Sequence, residues 1–333
     1  MNRDTLLLLV LQRMRFLKTS EKLKVLENFC SAESLPEKKD LVEIIGRSFN
    51  ASYTRDQLLK KAEDDMSVML KTGINILFIE DNNYPSQLKE IYNPPFLMYY
   101  RGICPDSEAL NISVVGTRKA TGRAIKEAYA LSFDLARSGV SIISGLAAGI
   151  DSSAHRGAIA GQSYTAAVFG CGVDRIYPTE NKMLASDILD NGGALMSEYP
   201  PGTIPSRYNF PERNRIVSAL SEATVVVESP LNSGSLITAD FALEQGREVF
   251  VLHIPSETAA GAGTMNLVKD GASSVSSAME VLNTLSYRTT DLKRRINIEN
   301  DFDSLETGRF LAARFLAELR GIEICKEGTY YSL

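Results

Sequence analysis

The chain has 333 residues, enough for one large domain with appendages or two modest ones. Apolar residues make up 44% and charged residues 23%, the balance of an ordinary globular protein, and the net charge of −5 gives no bulk basic field for nucleic acid. Residues 111–280 carry 13 Lys and Arg against 17 Asp and Glu, so any hold on a polyanion must come from a local cluster.

In chain order, the first apolar run is Leu6 to Leu11, too short for a membrane span or a signal segment, and no small-residue cleavage site follows it. The four cysteines (Cys30, Cys104, Cys171 and Cys325) are far apart, and with two histidines they argue against a zinc site. Free thiols fit a reducing compartment, so a cytoplasmic protein with no membrane contact is expected. Residues 1–73 read as helical: LLLLVLQRMRFL, SEKLKVLENF, EKKDLVEIIGRSF and RDQLLKKAEDDMSVMLKTG place apolar residues three to four apart. ILFIE at 76–80 and FLMYYRG at 96–102 read as strands.

From residue 111 the texture changes. ISVVG, VSIISG, TAAVFG, GALMSE, ATVVVES and EVFVLH are short, nearly continuous apolar runs alternating with helix-length segments at 121–138, 151–161, 180–191, 211–221 and 234–246. Apolar strands alternating with helices predict an α/β, doubly wound, mainly parallel sheet with ligands beyond the carboxyl ends of its strands. Residues 289–333 form a tail: a polar stretch, a helix ending at Gly321, and a small hairpin around Glu327-Gly328.

Three strand ends carry the candidate chemistry. At the first, Gly116 breaks a strand and Thr117, Arg118, Lys119 and Arg123 follow before any acid appears. Backbone N–H groups at such a turn make an anion site, and a guanidinium clamps phosphate through two donors; the plainer alternative is a solvated basic turn. This is not GxGxxG, and no acidic ribose-binding residue ends the second strand, so a dinucleotide is not expected. At the second, Ser144 and Gly145 end a strand, Asp151 reads as the cap of the next helix and His155 as a packed core residue. At the third, Arg213 shares a helix face with Ile216, Val217 and Leu220, so it starts inward and needs an acid, for which Glu198 or Glu228 is available, or a ligand. Phe210 precedes Pro211 in a first helical turn. An aromatic between Arg207 and Arg213 suits an unpaired base beside its phosphate, or staples the helix start. Asn214 and Arg215 adjoin, and Asn232-Ser233-Gly234 forms a second loop before a helix. Three such turns on one sheet edge make a phosphate-lined groove.

VVGTRKATG, IISGLAAGIDSSAHRGAI, VFGCGVDRIYPTEN, GALMSEYPPGTIP, NFPERNRIVSALSEATVVVES, SGSLITADFALEQGREVFVLH and NLVKDGA resemble, in order, the DNA-processing protein A (DprA/Smf) family, from about residue 75 to 275. The resemblance implies a non-enzymatic binder of single-stranded DNA with an extended Rossmann-like domain, usually a homodimer. Such a protein protects incoming strands in natural transformation and helps load the RecA recombinase. By motif position, Arg118, Arg207, Phe210 and Asn232 correspond to DNA-contacting residues, with Arg213, Asn214, Arg215, Ser233 and Gly234 lining or shaping the same pocket and Gly116, Thr117, Ser144 and Gly145 in its phosphate loops. It further implies a division into 1–73 (a divergent SAM or helix-hairpin-helix-like helical domain), 74–288 (the Rossmann-like DNA-binding domain) and 289–333 (part of a winged helix). The glycines of a helix-hairpin-helix turn are absent around FLKTSEKLKVLENF, which argues against a DNA role there. No catalytic residue, cofactor or metal is expected. The rival, a nucleoside-monophosphate phosphoribohydrolase on a related sheet, needs a glutamate where NSGSLIT has Thr238. A nuclease would need paired carboxylates for metal ions, and none is visible.

Overall fold

The computed structural model describes residues 4–35, 38–50, 54–106, 109–254, 259–285, 323–326 and 329–332. Four helices lead: α1 (Thr5–Arg13), α2 (Thr19–Asn28), α3 (Lys38–Ile45) and α4 (Arg55–Thr72). Local chemistry sets their ends. Asp4 accepts from Leu6 N at 2.9 Å, Glu21 reaches back to Lys18 N at 2.8 Å, and α4 stops at Gly73 in the left-handed region, φ 65°. Residues Leu7 to Gln12 of α1 are buried on every side, as expected of a run without a polar face. Arg13 ties α1 to Asp65 of α4, and Arg47 holds Glu21 of α2 at 2.6 Å.

The chain then builds β1 (Asn75–Phe78), α5 (Ser86–Lys89), β2 (Leu97–Gly102), β3 (Asn111–Val115), α6 (Gly122–Arg137), β4 (Ser141–Ser144), α7 (Ile150–Ala160), β5 (Thr165–Phe169), α8 (Lys182–Asp190) and β6 (Ala194–Ser197). It continues through α9 (Asn209–Ala219), β7 (Ala223–Val226), α10 (Gly234–Glu244), β8 (Glu248–Leu252), α11 (Ala262–Lys269), β9 (Ser273–Val275) and α12 (Ala278–Thr284). Nine strands form one sheet in the order β1-β2-β6-β5-β4-β3-β7-β8-β9, parallel from β6 to β9, with β2 antiparallel to β6 and β1 antiparallel to β2. The fold is the expected doubly wound α/β architecture. Ile112 lies opposite both Ile142 and Ala223, a register of small and branched side chains that leaves both faces apolar for helices. The strand order runs one way from β3 to β6, then reverses and continues from β7 to β9 on the other side of β3. Beyond the β3 and β7 carboxyl ends the connections part, and a crevice opens there.

Two hydrophobic clusters fill the layers. One joins Leu9, Leu11 and Leu41 of the leading helices to Leu97, Met196, Ile216 and Leu220; the other joins Ile112, Val114, Ala128, Ile150 and Phe250. Each fully buried Leu, Ile or Phe contributes about 1.5–3 kcal/mol relative to exposure.

Three features lie outside the expected elements. β9 is three residues of Ser-Ser-Val at the sheet edge, too short and polar to register as an apolar run. α11 and α12 are eight and seven residues long, about two turns each, too short to show a clear period. Helix α9 starts at Asn209 rather than 211, with Pro211 still in its first turn, where a missing N–H costs nothing. Near the C-terminus, β10 (Glu323–Lys326) pairs antiparallel with β11 (Thr329–Ser332), the hairpin expected around Glu327-Gly328. Those two turn residues and residues 289–322, with the expected tail helix, lie outside the described residues.

Candidate functional site

A groove of about 760 Å³ occupies the crevice. Its lining brings together Gly116, Thr117, Arg118, Gly145, Arg207, Phe210, Arg213, Asn214, Asn232, Ser233 and Gly234, contributed by four separate stretches of chain. Ser144 and Arg215 are not in the lining. Ser144 turns its hydroxyl inward, donating to Val114 O at 2.7 Å.

The first turn is pinned from β7. Thr117 N donates to Glu228 O at 2.7 Å, while Thr121 N and Oγ1 donate to the Glu228 carboxylate at 2.7 and 3.0 Å. Thr121 in turn caps α6, accepting from Ala124 N at 3.2 Å. The buried Glu228 thus sits at the positive end of α6 and holds the turn in shape. Arg118 and Lys119 project from it into solvent, and the Arg118 guanidinium lies 5.1 Å from the centre of the Phe210 ring.

The floor is made by Arg213, 5% exposed, whose Nη1 donates to Gly145 O at 3.0 Å and to Val168 O. Neither Glu198 nor Glu228 is its partner, contrary to the expectation from sequence. The carboxyl ends of β4 and β5 lie directly beneath α9, and their carbonyls reach the guanidinium first. Gly145 is required by this approach: a Cβ there would stand 2.7 Å from Arg213 Cζ. Glu198 instead accepts from Nη2 of the buried Arg215 at 2.6 and 2.7 Å, which turns Arg215 away from the groove. Asp151 does not cap α7, whose N-cap is Gly149; it accepts from Gly145 N at 3.1 Å and Ala147 N at 3.3 Å, bracing the preceding loop. Burial holds Asp151 above the usual carboxylate range, opposed by Arg213 and those two N–H groups. Burial likewise lowers Arg213 from its ordinary value, opposed by Asp151. His155 is packed as expected, fully buried beside Thr165.

The third wall is the paired starts of α9 and α10. Asn209 Nδ2 donates to Gly170 O at 3.1 Å, which fixes the first turn of α9 and with it Phe210, half-buried at the groove. Asn214 Nδ2 donates to Gly234 O at 2.9 Å and joins the two helices. Ser233 caps α10, and a hydroxyl chain runs from it through Ser235 to Ser229 at 2.8 and 2.9 Å. The first turn of α10 holds no acid, so no carboxylate of its own offsets the positive end of the helix beside the groove. Arg207 lies over Tyr208 with its Cζ 4.8 Å from the ring centre.

The charged side chains in the lining are Arg118, Lys119, Arg207 and Arg213 against Asp151 alone. A chain of net negative charge therefore concentrates cations at one sheet edge, beside an aromatic ring and two helix N-termini. Such a surface accepts a chain of phosphates carrying planar groups. Sequence reasoning passed over Tyr177, which the loop after β5 brings to 5.5 Å from Phe210, ring centre to ring centre. It lies in VDRIYPTEN, where no periodicity marks it. Among the described residues, no group of three or more His, Cys, Asp or Glu stands ready to hold a metal ion, and no helix is long and apolar enough to cross a membrane.

A family model described as DNA recombination-mediator protein A matches residues 75–286. Protein Smf of Borreliella burgdorferi is 34% identical over 320 residues, 96% of this chain and 99% of that protein. DNA processing protein DprA of Bacillus subtilis is 38% identical over 234 residues, 70% of this chain and 78% of that one. Among solved structures, DNA processing protein A from Streptococcus pneumoniae superposes with a TM-score of 0.68 at 30% identity, over 84% of this chain and 98% of that one. DNA processing protein A from Helicobacter pylori, whose structure addresses its single-stranded DNA binding mode, superposes with a TM-score of 0.56 at 30% identity, over 64% and 95%. With the family model matching more than half of the chain and a relative aligned from end to end, this chain belongs to the DNA recombination-mediator protein A (DprA/Smf) family.

Proposed function

We propose that the chain binds single-stranded DNA along the carboxyl edge of its sheet and serves as a non-enzymatic mediator of recombination in the cytoplasm. In this reading it acts as a homodimer that protects incoming strands and helps load RecA during natural transformation. The observation that carries the binding role is the groove lining: four cationic side chains against one buried carboxylate, around Phe210. Phosphates lie against Arg118, Arg207 and the loop N–H groups at Gly116 and Asn232–Gly234, the Thr117 N–H being held by Glu228 O. Arg118, exposed and resting on the Phe210 ring, swings to a phosphate as a base takes its place on that ring. Duplex DNA binds less well because its bases stay stacked and paired. The carboxylates around the groove are occupied by structural bonds: Glu228 with Thr121, Asp151 with loop N–H groups, and Glu198 with Arg215. That supports binding over the phosphoribohydrolase reading. The helical part (1–73) and the tail (289–333) flank the binding domain (74–288) and carry no assigned DNA contact.

Fluorescence anisotropy of labelled oligo-dT and its duplex form across a salt series tests this. A salt-dependent single-strand preference is expected, and Arg118→Ala should flatten the log–log salt slope by about 0.7 for one lost phosphate contact. An unchanged slope and affinity in that variant would overturn the groove assignment.

A further inference from the structure

Aromatic rings stand in and beside the groove. Tyr177 is 41% exposed and lines the groove beside Phe210, and Tyr208, 70% exposed, lies against Arg207 of the lining. Rings of that size left open to water beside a concave site mark a surface that meets something apolar and flat. The Tyr177 and Phe210 rings are tilted by 34° at 5.5 Å, an offset arrangement that fixes both while leaving ring area uncovered. Behind Phe210 stands Gly170, where a Cβ would lie 2.8 Å from Phe210 Cδ1; the ring is backed by bare main chain and cannot retreat. Tyr208 is fixed differently. Arg207 covers one face of its ring at 4.8 Å and donates to its hydroxyl at 2.6 Å, leaving the opposite face to solvent. Guanidinium and ring thus form one unit that offers a charge and a flat surface together.

We propose that Tyr177, against Phe210, and Tyr208, against Arg207, are additional base-stacking platforms of the groove. The strand then crosses the groove over the three rings, with phosphates turned toward Arg118 and Arg207. This deepens the single-stranded DNA reading and rests on it. Every base presents a face to a ring, so the platforms add affinity without reading sequence. Duplex DNA gains nothing from them because its faces are already stacked.

The test compares the full chain with Tyr177→Leu, Tyr208→Leu and Phe210→Leu on two labelled strands of equal length: oligo-dT, and an abasic strand that keeps the phosphates and lacks bases. Each tyrosine-to-leucine change should weaken oligo-dT binding by roughly 5- to 150-fold, leave the salt slope unchanged and leave abasic-strand affinity unchanged. Tyr177→Phe should bind oligo-dT as the parent does. Unchanged oligo-dT affinity in a leucine variant overturns the assignment for that residue, and an equal loss on the abasic strand overturns it as a base contact. If Tyr177→Leu lowers the melting temperature, Tyr177→Trp, with a larger ring, should bind at least as tightly, and weaker binding overturns the proposal. Failure of the parent chain to bind oligo-dT overturns the groove reading and this inference together. A loss confined to Phe210→Leu overturns this inference alone.

Discussion

Acidification should destabilise this protein through His155, and the structure gives the size of the effect. The Thr165 hydroxyl donates to Ile142 O at 2.7 Å, so toward His155 Nδ1, also at 2.7 Å, it can only accept. The neutral ring therefore carries its proton on Nδ1, and its bare Nε2 is buried with no hydrogen-bond partner among the described residues. A second proton would enter that unpartnered position. Burial first, then the positive Arg213 and Arg156, push the ring down from 6.5 to about 3. Because the folded value is depressed below the unfolded one, the folded state binds fewer protons. The stability present above pH 6.5 is lost as pH falls toward the folded value. At about 1.4 kcal/mol per unit, the whole window is worth about 5 kcal/mol, and the first two units below the unfolded value about 3 kcal/mol. Asp151 has the opposite sign: its raised value favours folding at low pH, so it does not account for a loss on acidification. The comparison is urea unfolding of the parent and His155→Asn, followed by circular dichroism from about pH 7.5 to about pH 4.5. Asparagine keeps an N–H near the Nδ1 position but does not titrate there, at a cost of about 1–3 kcal/mol for the space left at neutral pH. The stability gap between the two proteins should shrink or reverse by about 3 kcal/mol on acidification. A constant gap across that range would refute the buried neutral imidazole.

Two further outcomes follow from the floor of the groove and its support. Gly145→Ala forces its new methyl group into the Arg213 guanidinium and should destabilise the fold by about 1–3 kcal/mol, with a lower melting temperature and weaker oligo-dT binding together. Full retention of both would show that Arg213 relocates freely. Glu198→Ala strands the buried Arg215 charge and should cost about 3–5 kcal/mol in urea unfolding, whereas Glu198→Leu with Arg215→Met should recover most of it. Equal losses in the single and double variants would mean that the pair is not what holds this region.

Local pattern alone determined much of this protein. Runs such as ISVVG and TAAVFG, apolar at nearly every position, read as strands covered on both sides, and the helix-length segments between them make the sheet parallel. NFPERNR announces a helix start with cations where a carboxylate is the usual choice, so a cationic cluster at this helix start was legible in the sequence. Tertiary structure alone decided which groups meet. Arg213 faced inward by periodicity, but its partners are carbonyls at the ends of β4 and β5, and the acids expected for it went to Arg215 and Thr121. Tyr177 reaches Phe210 across 33 positions of chain because β5 and the start of α9 end at the same edge of the sheet. Periodicity records whether a side chain is buried, since burial repeats with the helix or strand that carries it. The identity of the neighbour depends on strand order and loop path, and those are set by packing between segments far apart in the chain.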